Sequence, residues 1–418
     1  MTDTKLTFKR KTRSASDKPR VAFCGTRGLP ANYGGFETAI DHITAHFIRN
    51  GFECEVFCRE SNGDVRPDRH EGRMLRYVAG SRHRVLDTFI ASIQTGRAIR
   101  RDRRRYDCVM WFNNANLPGI LLTVMARIPM VINTDGLEWK RAKWSWPFKL
   151  YYYLSSWIVS RLRATLVSDS VGIQNFYREQ FGAESQFIPY GAPRKYDVSP
   201  EKQADILNKY ELESGKYFLQ ITRIEPDNLP FETVSSFAAT DLSRKGFRMV
   251  VVGYQQPTPY AERLRAYDGV NGVRILPANY DADELYALRR NCRCYVHGNS
   301  VGGTNPALLE AMAVCPRVVA IDIDFSREVL GESGFFFQVH NLAEVLVSAA
   351  MDMPDQSEAM RRRIAERYRW DEVARSYMNL ALGHPAAYLE TDRELPIIER
   401  EALREVMKST VNKDHEAD

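Results

Sequence analysis

Between residues 20 and 321 short apolar runs alternate with helical patterns, and the alternation starts twice. Residues 20–24 (RVAFC) stop at Gly25, after which Phe36, Ile40, Ile43 and Phe47 recur at helical spacing. Residues 54–58, 108–112 and 131–133 are further runs. Residues 187–189 then end in a break, Tyr190-Gly191-Ala192-Pro193. After a polar stretch containing Pro200, residues 217–222 (YFLQIT) open a second series, continued by 249–252, 273–276, 294–296 and 318–321. Strand–helix–strand alternation implies parallel sheets, because parallel neighbours need a crossover and not a tight turn. The pattern predicts two doubly wound α/β halves joined near residue 191. In such sheets ligands sit at the carboxyl ends of the strands, beside a topological switch.

The bulk figures exclude several classes. Of 418 residues, 44% are hydrophobic and 27% charged, the profile of a globular chain with room for two or three domains. A net charge of +5 is too weak for a nucleic-acid footprint, so no nucleic acid is expected as a partner. The seven Cys form no CxxC and no Cys/His metal spacing, and read as small core residues of a reducing compartment. The basic N-terminus has no apolar core and is not a secretory signal. No apolar run reaches the roughly 18 residues that a membrane-spanning helix needs.

Two loops have the makings of an anion site. GTRGLPANYGGFE (residues 25–37) follows the first run, and Gly25, Gly28, Gly34 and Gly35 let backbone approach a ligand. The helix behind it offers unpaired N–H groups and a positive dipole end. HGNSVGGTNPALLEAM (residues 297–312) repeats the physics in the second half. There Asn305 suits the N-cap, Pro306 suits the first helical turn, and Gly302 and Gly303 clear the approach. Glu310 lies a turn inside, where it either accepts ribose hydroxyls or merely complements the helix dipole. Either loop alone reads as plain turn chemistry. Two anion-ready helix starts on two α/β halves suggest one nucleotide diphosphate held between them.

Together with NTDGLEWKRAKW (133–144), IPYGA (188–192), TRIEPDN (222–228) and RWDEVARSYMNL (369–380), these loops resemble retaining family-4 glycosyltransferases of the GT-B fold. More narrowly, they resemble the bacterial rhamnosyltransferase-like subgroup of surface-polysaccharide biosynthesis. The likeness runs from about residue 20 to about residue 383. It implies an α/β GT-B protein, two doubly wound Rossmann-like domains facing across a cleft. The expected organisation is a disordered basic tail over 1–19, an acceptor-binding domain over 20–191, and a linker over 192–215. A nucleotide-sugar-binding domain follows over 216–368, then a terminal helix over 369–385 packing back toward the first domain, and a charged tail over 386–418.

The resemblance also implies roles. The second Glu of the family's E-x(7)-E falls at Glu310, for the ribose, whereas the first falls at Gly302, so that carboxylate is absent and Thr304, Asn305 and backbone amides substitute for it. The diphosphate-gripping Arg is Arg223, and Asn228 stands where its partner Lys would be. Asp135 replaces a family His; it orients the sugar, accepts the acceptor's proton, or caps the next helix, and Glu138 shares that ambiguity. Asp135 and Arg223 are the catalytic candidates. Gly34, Gly35, Gly303, His297 and Glu328 complete the donor set, and Asn113 and Asn116 are offered to the acceptor. In this mechanism the leaving diphosphate takes the proton in a front-face attack, so no cofactor and no metal are expected; Asp322-Ile323-Asp324 is a D-x-D of the kind that binds metal in another fold.

Residues 84–105 end in a basic cluster, and residues 139–163 hold four of the six Trp among Lys and Arg. Interleaved basic and aromatic side chains suit a lipid headgroup layer or a buried aromatic core. With the resemblance they imply a cytoplasmic enzyme, peripheral on the inner membrane face, using dTDP-rhamnose or a UDP-sugar and a lipid-linked saccharide acceptor. The alternatives are a UDP-hexose donor on the same fold, or a catalytically degenerate membrane-associated binding module. A nicotinamide-dependent oxidoreductase fits less well, since Gly25-Thr-Arg-Gly28 is not G-x-G-x-x-G.

Overall fold

The computed structural model describes residues 18–31, 34–60, 66–81, 84–141, 144–193, 197–253 and 258–386. The expected tails lie almost wholly outside them. The first half is a sheet of β1 (Arg20–Cys24), β2 (Glu53–Arg59), β3 (Arg69–His70), β4 (Arg73–Val78), β5 (Cys108–Phe112), β6 (Met130–Asn133), β7 (Thr165–Ser168) and β8 (Gln186–Phe187). Its order is β3-β4-β2-β1-β5-β6-β7-β8, and only β3–β4 pair antiparallel. The second sheet holds β9 (Tyr217–Ile221), β10 (Arg248–Gly253), β11 (Val273–Pro277), β12 (Cys294–His297), β13 (Val318–Ile321) and β14 (Phe335–Phe337), in the order β11-β10-β9-β12-β13-β14, all parallel. Helices cover both faces of such sheets, which is why central strands such as CVMWF are buried along their whole length.

Apart from the antiparallel β3, each sheet reverses its order once, between β1 and β5 and between β9 and β12. The loops leaving these four strands are the glycine loop after Cys24, the Asn113–Asn116 turn, the Arg223 loop and the Gly302–Asn305 loop. A ligand crevice opens where neighbouring loops part in this way. Gly25 shows how tightly the first crevice is built. Its φ is +97°, and a Cβ there would lie 2.2 Å from the Phe112 carbonyl oxygen.

Two differences from the sequence expectation have clear causes. The stretch 192–215 is not only a linker: it holds the helix Pro200–Lys209, N-capped by Ser199 and packed on the helix Ala282–Asn291. Strands β3, β4, β7 and β14 were not foreseen. Arg73 and Arg76 interrupt β4, yet Arg73 is buried because Asp41 and Glu71 both pair with it.

The helix Trp370–Ala381 returns to the first half and packs on the helix Gly35–Arg49, with His42 stacked on Trp370 at 4.4 Å. The outgoing and returning chains touch where they cross. Ala192 N–H donates to the Tyr368 carbonyl at 2.8 Å, and Ala192 bridges Arg369.

Candidate active site between two helix tips

The helix Gly35–Arg49 starts from Gly34 in extended backbone, and the helix Pro306–Val314 starts from Asn305, whose side chain accepts the Ala307 N–H at 2.9 Å. The two starts meet head on. A Cβ placed on Gly35 would lie 3.0 Å from Pro306 Cγ. Glycine makes the approach possible on neighbouring loops as well: a Cβ on Gly136 would lie 3.7 Å from the Gly302 Cα, and one on Gly303 would lie 1.9 Å from Asp169 Oδ1. Gly302 itself has φ +153°, which a side chain would strain. The Thr304 hydroxyl donates to the Asp169 carbonyl, fastening the second half's loop to the end of β7.

Donor-side residues from the sequence converge here unequally. Arg223 is 51% exposed and only loosely paired, with Glu225 4.0 Å away, so its guanidinium fork is available to an anion. Asn228 is buried and turned inward, donating to the Arg223 carbonyl at 2.9 Å, so it shapes that loop and brings no charge. Glu310 has one oxygen, Oε2, held by the buried Arg289 at 2.5 Å and remains part-exposed. His297 is buried, and burial depresses its pKa to about 3, which keeps the ring neutral. Glu328 accepts the Val171 N–H with both oxygens, at 2.9 and 3.0 Å, so its carboxylate joins the two halves. Asp322 of the D-x-D is gripped by Arg327 through two nitrogens, at 2.5 and 2.8 Å.

Across the cleft, Asp135 sits at the end of β6 with φ 60°, a left-handed conformation that Asp tolerates. Asn133 Oδ1 accepts its N–H at 3.0 Å, and Asn133 Nδ2 donates to the Tyr377 hydroxyl at 2.8 Å. The returning helix therefore props the strand end that presents Asp135. Glu138 is buried and engaged within its own loop: Oε1 accepts from Arg141 at 2.5 Å and Oε2 from the Trp144 indole at 2.9 Å. Asn113 caps its own turn by accepting the Ala115 N–H at 2.8 Å. Asn116 is buried and ties the turn to the Gly25 carbonyl at 3.0 Å.

Sequence reading missed Asp169, Arg141, Arg289 and Tyr377 as members of this region. Asp169 is buried among acidic neighbours. Burial first, then the nearby charges of Asp135 and Glu328, raises its pKa well above the usual carboxylate range. Nothing near Asp169 in the sequence signals this, since its neighbours here come from three separate loops. Away from the cleft, Asp41, His70 and Glu71 come together on the surface, but Arg73 already lies between the two carboxylates.

Comparison with known proteins agrees with this fold. Residues 202–370 match the family described as glycosyl transferases group 1, and residues 122–193 match a domain of unknown function. No curated protein sequence matches the chain. Among solved structures, sucrose-phosphate synthase from Thermosynechococcus elongatus is 14% identical, with 87% of this chain and 98% of that one covered at a TM-score of 0.72. HepE of Anabaena, in complex with UDP and glucose, is 15% identical over 86% of this chain and 98% of its own, at 0.64. The E. coli trehalose-6-phosphate protein bound with UDP-2-fluoro glucose is 9% identical over 87% and 99%, also at 0.64. Residues 202–370 thus match the family of group 1 glycosyl transferases, and the whole chain is an α/β protein of two parallel-sheet, Rossmann-like halves, the fold of GT-B structures.

Proposed function

We propose that the chain moves a sugar, with retention of configuration, from a nucleotide diphosphate sugar to a lipid-linked or polysaccharide acceptor in cell-surface polysaccharide biosynthesis, and that dTDP-linked rhamnose is the donor. The observation that carries this is the apposition of the helix starts at Gly35 and Pro306, each aiming amides and a positive dipole end at one place. In this reading Arg223 and the helix amides hold the diphosphate and stabilise it as it leaves, in the place a metal takes elsewhere. The departing diphosphate takes the acceptor's proton, and Asp135 orients the attacking hydroxyl. Glu310 receives the nucleotide's sugar. Arg289 holds Oε2 and leaves Oε1 to accept hydroxyls of the nucleotide's sugar. A UDP-hexose is the second reading, favoured by the UDP and UDP-sugar complexes of the structural relatives.

The acceptor reading draws on the outer face of the helix Trp146–Val159. Trp146 (73% exposed), Leu150 (41%), Leu154 (45%) and Trp157 (42%) follow one another at helical spacing on it. Arg161 lies over the Trp157 ring at 4.0 Å. Aromatic and aliphatic side chains edged with cations suit an anionic headgroup layer, where a lipid-linked acceptor resides. No helix among the described residues is long and apolar enough to cross a membrane. A screen of dTDP- and UDP-sugars, reading released nucleoside diphosphate and product mass, tests the reading. Transfer from a dTDP-deoxysugar is expected, with Glu310→Ala weakening nucleotide binding by about tenfold or more. Absence of turnover and of nucleotide binding with every donor overturns it.

A further inference from the structure

We propose that Arg141 is a second donor-binding cation, supplied by the first half of the chain and gripping the diphosphate opposite Arg223; this rests on reading the cleft as a nucleotide-sugar site. Arg141 is 9% exposed and follows the short helical turn Glu138–Lys140. Only its Nε is used by Glu138, at 2.5 Å. Its Nη1 is buried and has no hydrogen-bond partner among the described residues. A buried guanidinium N–H without an acceptor is costly, and proteins keep such a group where a ligand completes it. Its Nη2 lies 3.8 Å from where a Cβ of Gly302 would be, so the fork points at the loop leading into the helix start at Pro306.

The surroundings fix the group as a cation. Burial alone would lower its pKa, yet the Glu138 carboxylate, with Asp135 and Glu225 beyond it, holds it raised. Glu225 belongs to the loop that carries Arg223, so Arg141 stands within electrostatic reach of the same place from the other side. Gly302 is part of the arrangement. A carboxylate-bearing side chain at that position would point at Arg141 and neutralise it. Glu138 acts as a positioning residue, spending one nitrogen of the guanidinium and leaving the outer two for an anion.

The test is calorimetric titration of the full chain with UDP and dTDP, and with uridine and thymidine. Arg141→Gln is expected to bind the diphosphates at least tenfold more weakly while nucleoside binding is unchanged, and Arg141→Lys is expected to recover part of the loss. Should Arg141→Gln fail to fold, the pair Glu138→Gln/Arg141→Gln, which leaves no lone buried charge, serves instead. Undiminished diphosphate affinity in a folded variant overturns the proposal. So does an equal loss for nucleosides, which marks a merely structural role. If the unsubstituted protein binds neither diphosphate, the nucleotide-sugar reading itself fails, and this proposal with it.

Discussion

His297 closes β12 beside the donor loop, and burial holds it uncharged with a pKa of about 3. In the unfolded chain an imidazole titrates near 6.5. The folded value is the lower of the two, so between these values the unfolded state binds more protons. The contribution of His297 to stability is therefore complete above about pH 6.5 and is lost as pH falls. Replacing it with Gln removes that slope. Melting temperatures measured from pH 7 to pH 4 are expected to fall less steeply in His297→Gln, by up to about 1.4 kcal/mol per pH unit; an unchanged slope would show a protonated or exposed ring. His297 and Glu310 were legible as members of one loop, because they share a continuous motif. Arg289, which holds Glu310, and Asp169, which meets Gly303, were not. Their significance comes from contacts made across more than twenty residues of sequence, and no local pattern encodes those.

At the level of elements, most central strands were visible because a strand covered on both faces is apolar throughout, as 108–112 and 249–252 are. Strand β4 was hidden by charge, since Arg73 and Arg76 interrupt its apolar run. The aromatic stretch 139–163 was ambiguous in sequence, and folding divides it. Trp139 packs against Phe176 at 5.3 Å and Trp144 stacks on Phe148 at 5.2 Å, facing inward. Trp146, Leu150, Leu154 and Trp157 face out. The outward set gives a prediction. Sedimentation with vesicles containing anionic phospholipid is expected to carry down the protein. Trp146→Ser/Trp157→Ser should weaken that by about tenfold, since each exposed aromatic adds on the order of 1 kcal/mol or more when buried. Equal sedimentation of both proteins removes the helix from any lipid contact.

Over the whole molecule, the halves are joined twice at one edge, and the returning helix locks onto the first half through Trp370. Gly191 is fitted to that ring: a Cβ on it would lie 2.5 Å from Trp370 Cγ. Gly191→Ala must push the indole aside, and a loss of about 1–3 kcal/mol is expected in thermal or denaturant unfolding. Unchanged stability would mean that the terminal helix is held elsewhere. The twofold repetition of the α/β pattern was readable from residues 20–321, whereas the fit of Gly191 to Trp370 depends on the return of the chain.

The direct meeting of Gly35 with Pro306 has a mechanical consequence. A side chain at position 35 would press on the Pro306 ring and wedge the two helix starts apart. The chain crossing at Ala192 and Tyr368 lies close by, since Phe36 packs near Tyr190 and Tyr190 near Trp370, so the glycine that keeps the two tips together also sits beside the seam that ties the halves.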